Sequence, residues 1–207
     1  GVEGAELEWL RAALGSDAAA WDDEFGTARD VSGLGVERNI LRYRPVPVTI
    51  RIATDAPLHH AMRAVAAGLS AGSSPLVSAA FPLPEPVNEV LASAGVTVAV
   101  EDAAAWVARA RALAAQEGPH AGARVRIVAG AARASVVADT YAATGGKPDV
   151  AVYGGPVVSA GRVEMLPHLH EQAVSITAPG HENDENFSGP AFASEVDLQS
   201  QVCTDCW

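Results

Sequence analysis

Gly68, Ser70 and Gly72 set a serine in the G-x-S-x-G spacing of a nucleophile elbow. That chemistry needs a strand, a sharp turn and then a helix, so that the hydroxyl stands exposed above a sheet. Here a helical pattern precedes the serine and a strand follows it, with no glycine-rich oxyanion loop nearby. The order is reversed, and the segment is expected to be a helix end and a loop. GLGVER (33–38) carries the first half of G-x-G-x-x-G but has Arg38 in place of the third glycine, and no clear strand precedes it. A phosphate cradle needs glycine for close backbone approach, so this is a poor dinucleotide loop. GGKP (145–148) lacks P-loop spacing and reads as a helix stop.

Histidine and cysteine offer no better site. His59 and His60 are adjacent on a helical pattern, where neighbouring side chains diverge by about 100°. His168 and His170 stand two apart without a set of nearby carboxylates or thiols. Cys203 and Cys206 form a CxxC, which supplies two of the four ligands zinc wants, with no helix to lower a thiolate pKa. The sequence therefore points to no catalytic, cofactor-binding or metal-ligating residue.

The elements that would position any such residue follow a clear rhythm. A helix over 4–14 places Leu7, Leu10 and Leu14 on one face, and Gly15-Ser16-Asp17 reads as a stop and a new cap. A second short helix, Asp17 to Phe25, sets Trp21 and Phe25 four apart, and residues 26–39 read as an irregular connector. From there strands at 47–53, 75–80, 96–101, 123–130 and 149–153 alternate with helices at 58–70, 84–95, 102–116 and 131–146. This alternation means βαβ units and a mainly parallel sheet with helices on both faces. The expected fold is α/β and Rossmann-like, with a core that includes Val48, Ile50, Ile52, Val65, Leu76, Val77, Val98, Val100, Ile127, Val128, Val150 and Val152. Gly154-Gly155 and PVVSAGRVE read as a β-hairpin flap at 149–163. MLPHLHEQAVSITA (165–178) then reads as a helical turn running into a strand. The expected organisation is 1–45 for N-terminal helices and connector, 46–163 for the sheet domain, 164–178 for an end motif and 179–207 for an acidic, disordered tail.

With 207 residues, 49% apolar and 19% charged, the chain can build one sizeable core. The net charge is −11, and the last 29 residues hold six acids and no base. Residues 1–178 carry 19 acids against 14 bases, so the basic footprint of a nucleic-acid binder is missing. No run is long and apolar enough to span a membrane. There is no secretory pattern at the start, and both cysteines lie in the last five residues, which fits a cytoplasmic, reducing home. Entry into a helical pattern without Met suggests a fragment of a longer chain.

The run from Leu58 to Val96 resembles the first half of an aldehyde dehydrogenase nucleotide-binding domain, where a helix leads through a turn to a strand ending in Lys-Pro-Ser. Around Ser78-Ala79-Ala80 the lysine that holds the cofactor ribose in that family is missing. GAARAS, from Gly130, stands where the family carries a Gly-Ser phosphate-contacting turn, and the nucleophilic cysteine has no counterpart before the tail. Two further stretches, 33–52 and GRVEMLPHLHEQAVSITA (161–178), resemble the last domain of long proline utilization A enzymes. Those join an FAD-dependent proline dehydrogenase to an NAD-dependent L-glutamate γ-semialdehyde dehydrogenase. The resemblance implies a non-catalytic domain of the aldehyde dehydrogenase superfamily, with no cofactor of its own while NAD and FAD serve the full-length enzyme. Its partner would be the catalytic aldehyde dehydrogenase module of the same polypeptide or protomer. Its end motif would help close the tunnel that carries the intermediate, with Leu166, Leu169, Glu171, Gln172, Val174 and Ile176 as lid or interface residues. Glu171 and Gln172 are expected at the bend, Leu166, Leu169, Val174 and Ile176 to project, and Val174, Ile176 and Ala178 to share one strand face. This chain departs from the family's ending at Pro179. The alternative reading is an NAD(P)-dependent oxidoreductase working in its own right through GLGVER.

Overall fold

The computed structural model describes residues 2–33, 37–118 and 123–177. They fall into two compact units. The described residues of Gly1–Ala20 with Pro45–Leu169 form the first, and those of Trp21–Arg44 with His170–Trp207 the second.

The first unit is built on β3 (Val48–Ile52), whose five residues are all buried. Strands covered on both faces can be apolar without alternation, and the sheet here is of that kind. Its order is β5 (Thr97–Val100), β4 (Leu76–Ala79), β3, β6 (Arg124–Val128) and β7 (Val152–Tyr153), and every neighbouring pair runs parallel. Ile50 stands opposite Val77 on one side and Arg126 on the other. Val48, Ile50 and Ile52 join residues of α2 (Leu58–Ser70) and α3 (Glu85–Ser93) in one core. Val125 and Ile127 face the other way, into a second core with Trp106, Ala110 and Leu113 of α4 (Ala103–Ala114). The helix α5 (Arg133–Thr144) packs its Val136 and Val137 against that second core. Helices therefore cover both faces, as the alternation requires. Local caps fix their ends: Asp102 accepts from the Ala105 N–H at 2.8 Å, and Gly145, at φ 62°, closes α5 in the left-handed conformation.

Ile50 and Ile127 are both fully buried, in keeping with the expected core. Val100 is not. It is 59% exposed, because β5 is the edge strand and Val100 its last residue.

Two expected breaks are absent. A single helix, α1 (Ala5–Ala20), runs through Gly15-Ser16-Asp17. Asp17 does not cap a new helix but is buried inside this one, bidentate with Arg63 of α2 at 2.7 Å on both oxygens. The expected hairpin at 149–163 is also not formed. Val152–Tyr153 is a parallel edge strand, and Gly161–Glu164 is a short helix, α6. Backbone carbonyls between them are held by buried arginines instead. Arg126 donates to the oxygens of Tyr153, Gly155 and Pro156 at 3.2, 2.8 and 3.2 Å, and Arg63 to that of Val158 at 3.0 Å. Glu164 completes the lock, accepting from Arg126 Nε at 2.7 Å and from the Val158 N–H at 3.1 Å. Gly161 seats directly on α1: its N–H donates to Ser16 Oγ at 2.9 Å, and a Cβ there would collide with the Ser16 backbone carbonyl.

In the second unit, Trp21–Phe25 is a π-helical turn, and the ring of Phe25 meets that of Tyr43 edge-on at 4.8 Å. The residues read as a connector contain strand. Here β1 (Arg29–Asp30) pairs antiparallel with β2 (Glu37–Pro45), and β8 (Leu169–Thr177) lies along the other side of β2.

Candidate functional site

The end motif departs from the first unit at a well-anchored root. Three carbonyl oxygens, those of Leu166, Pro167 and Leu169, accept from Nη1 of Arg124 at 3.1, 3.2 and 2.5 Å. The His168 carbonyl accepts from the Val46 N–H at 3.0 Å, and Ser73 Oγ donates to the Val46 carbonyl at 2.6 Å. The His168 ring is fully buried against α2, where a Cβ on Gly68 would come within 2.9 Å of it. Neither of its nitrogens has a hydrogen-bond partner. Burial, with Arg126, Arg124 and Arg63 around it, pushes its pKa down to about 3, so the ring is neutral.

The helical turn covers Leu166–His168 and the strand starts at Leu169, ahead of the bend expected at Glu171 and Gln172. Leu169 is buried at 3% exposure rather than projecting, while Leu166 is 39% exposed. Beyond it Gln172, Val174 and Ile176 are half-buried, and Glu171, Ala173 and Ser175 are exposed. This is the period of two expected of a strand with one covered face. Arg42 Nε donates to Gln172 Oε1 at 2.8 Å, and Ser175 Oγ to Asn39 Oδ1 at 2.7 Å. Three residues forward on β8 thus match three back on β2, the mark of an antiparallel pair. As the last strand in its sheet, β8 has a second edge with no strand on it among the described residues.

The residues that the sequence set against nucleotide-contacting positions make bonds within the chain. Ser78 is buried, accepts from Arg51 Nη1 at 2.9 Å and donates to Glu101 Oε2 at 2.6 Å. Glu101 is also bidentate with Arg109, and that pairing holds its carboxyl below the ordinary range against the opposing effect of burial. At the start of α5 the Gly130 and Ala132 N–H groups donate to the Asp55 carboxylate at 3.1 and 2.7 Å. Of GLGVER, residues 34–36 lie outside the described residues, as do Cys203, Cys206 and the tail.

Ser70 is the exposed last residue of α2, at a helix end and not on an elbow. His59 and His60 turn their rings together, 4.3 Å between centroids, and both pack on Trp9. Among the described residues no group of three or more His, Cys, Asp or Glu could hold a metal ion.

No protein-family model matches this chain, and neither does a curated protein. A solved structure does. The chain is similar to part of proline utilization A (PutA) from Corynebacterium freiburgense, at 28% identity and a TM-score of 0.52. The match covers 82% of this chain but only 13% of the PutA chain, so the likeness is to one piece of a much longer polypeptide and supports a PutA-related domain. No helix among the described residues is long and apolar enough to cross a membrane.

The residues that hold the end motif, Arg124, Ser73, Gly68 and His168, escape a motif search because each acts through packing or a backbone carbonyl. A signal was present nonetheless: RVRIV and VTIRI carry arginines in strands that must be buried, and a buried guanidinium needs partners.

Proposed function

We propose that this chain is a non-catalytic domain of a larger, proline-catabolic polypeptide of the PutA type, belonging to the aldehyde dehydrogenase superfamily. Its end strand serves as a lid on the path between two active sites carried elsewhere in that polypeptide. The likeness to PutA over 82% of the chain carries the reading. The edge position of β8 supports the lid, because an edge strand with one covered face can extend a neighbouring sheet. NAD and FAD would work in the other parts of such a polypeptide, and the partner of β8 would be its aldehyde dehydrogenase module. The intermediate, 1-pyrroline-5-carboxylate with its open semialdehyde, is small and diffusible, so enclosing it needs a wall.

The test is a deletion in the full-length polypeptide. Pro167–Leu169 are buried in the first unit, so the cut should remove 170–178. Each half-reaction should keep its rate, since no catalytic group is lost. Conversion of proline to glutamate should develop a lag, and an external trap for the semialdehyde should capture more intermediate. Equal transients in intact and shortened enzyme would overturn the lid.

A further inference from the structure

In the five-stranded sheet the chain leaves β3 towards β4 and later returns to lay β6 on the other side of β3. The connections leaving β3 and β6 therefore run to helices on opposite faces, α2 and α5, and a doubly wound sheet takes its ligand at such a switch point. Two loops meet there, 53–57 after β3 and 129–132 after β6. The second runs into α5, and one side chain takes two of the amides just ahead of that helix. Asp55 Oδ1 accepts from the Gly130 N–H at 3.1 Å and Oδ2 from the Ala132 N–H at 2.7 Å. Those amides, Ala132 foremost, hold its carboxyl below the ordinary range, so it is an anion at neutral pH. Gly130 permits the approach: a Cβ there would lie 2.7 Å from the Asp55 carbonyl oxygen and 3.0 Å from Oδ2. A glycine that in a nucleotide-binding sheet admits a phosphate here admits another loop of the same chain.

We infer that Asp55 is the chain's own occupant of the switch-point amides, closing them to phosphate-bearing cofactors. A carboxylate with both oxygens on backbone N–H groups at a helix start makes the bonds a phosphate would make. Because it is tethered, it competes at high effective concentration. The inference rests on the non-catalytic reading above and deepens it, giving a physical reason for this domain to bind no such cofactor.

The experiment uses the whole 207-residue chain, with ADP-ribose and inorganic pyrophosphate as probes in calorimetry, and amide NMR to locate binding. Unaltered protein should show no binding, and its Gly130 and Ala132 amides should exchange slowly. Asp55→Ala should bind at least one probe, roughly tenfold or more above the detection limit at which unaltered protein shows none, with shifts centred on those two amides. Circular dichroism checks that the variant is folded, and Asp55→Asn, which keeps the shape but loses the charge, replaces it if it is not. Two results would overturn the inference: binding to those amides in unaltered protein, or no binding by a folded variant. Either leaves the lid standing, just as an absent lag in the deletion leaves Asp55 in place.

Discussion

His168 has a buried ring with two unpartnered nitrogens, next to Arg63, Arg124 and Arg126. A neutral imidazole can sit there; an imidazolium cannot. The ordinary pKa of 6.5 applies to the unfolded chain, and about 3 to the folded one. As pH falls through 6.5 the unfolded state takes up a proton that the folded state refuses. Stability from this group is therefore complete above pH 6.5 and declines below it, by up to about 1.4 kcal/mol per pH unit. Urea unfolding at pH 7, 6, 5 and 4 should show this slope, and His168→Gln, which cannot titrate, should flatten it. An unchanged slope in the variant would place the acid sensitivity elsewhere. In the sequence His168 stands two positions from His170, without the carboxylates or thiols of a metal site. Its role as a packed, neutral ring depends on Gly68, a hundred residues earlier, where the absence of a Cβ makes room for it.

Among the elements, the alternation of strand and helix was legible because each parallel strand is buried on both faces, leaving uninterrupted apolar runs between helical periods. The helix Leu58–Ser70 appears where its periodicity places it. The misreadings share a cause. Gly15-Ser16-Asp17 looks like a break only while the partner of Asp17 is out of view, and Arg63 lies 46 residues on. Gly154-Gly155 looks like a hairpin turn until Arg126 gathers the carbonyls around it. The strand Glu37–Pro45 was missed because its pattern mixes arginines with apolar residues, and two of those arginines, Arg38 and Arg42, pair with neighbours. Arg42 reaches Gln172 in this way. The end strand tests how far such remote partners matter. Arg124→Ala should leave the five-stranded sheet intact yet loosen the root of β8, because three carbonyls lose their donor at once. Amide exchange in 166–172 should rise several-fold while exchange in β3 and β4 stays put. A uniform rise through the sheet would show that Arg124 supports the whole unit and not the root.

For the molecule as a whole, composition and charge excluded a nucleic-acid binder and pointed to a single sizeable core, which the structure divides between the two faces of one sheet. The candidate site was legible only in part. Its strand-like end could be read from period-two alternation, but its anchorage, like the filling of the switch point by Asp55, depends on pairs far apart in the chain. The seat of Gly161 on Ser16 is a long such link within the first unit, spanning 145 residues. It has a consequence in time. On a ribosome adding roughly 5–20 residues per second, α1 is born about 7–30 s before the glycine that completes its seat. Until then its buried Asp17 has Arg63 to pair with, but the face that meets α6 lies bare. A stalled nascent chain ending near residue 155 should therefore leave α1 open to proteolysis, and one ending past 175, with the exit tunnel cleared, should protect it. This unit is closed by nearly the last residues of its sheet to be made, so the α6-facing side of α1 waits, exposed, long after α2 has covered the rest.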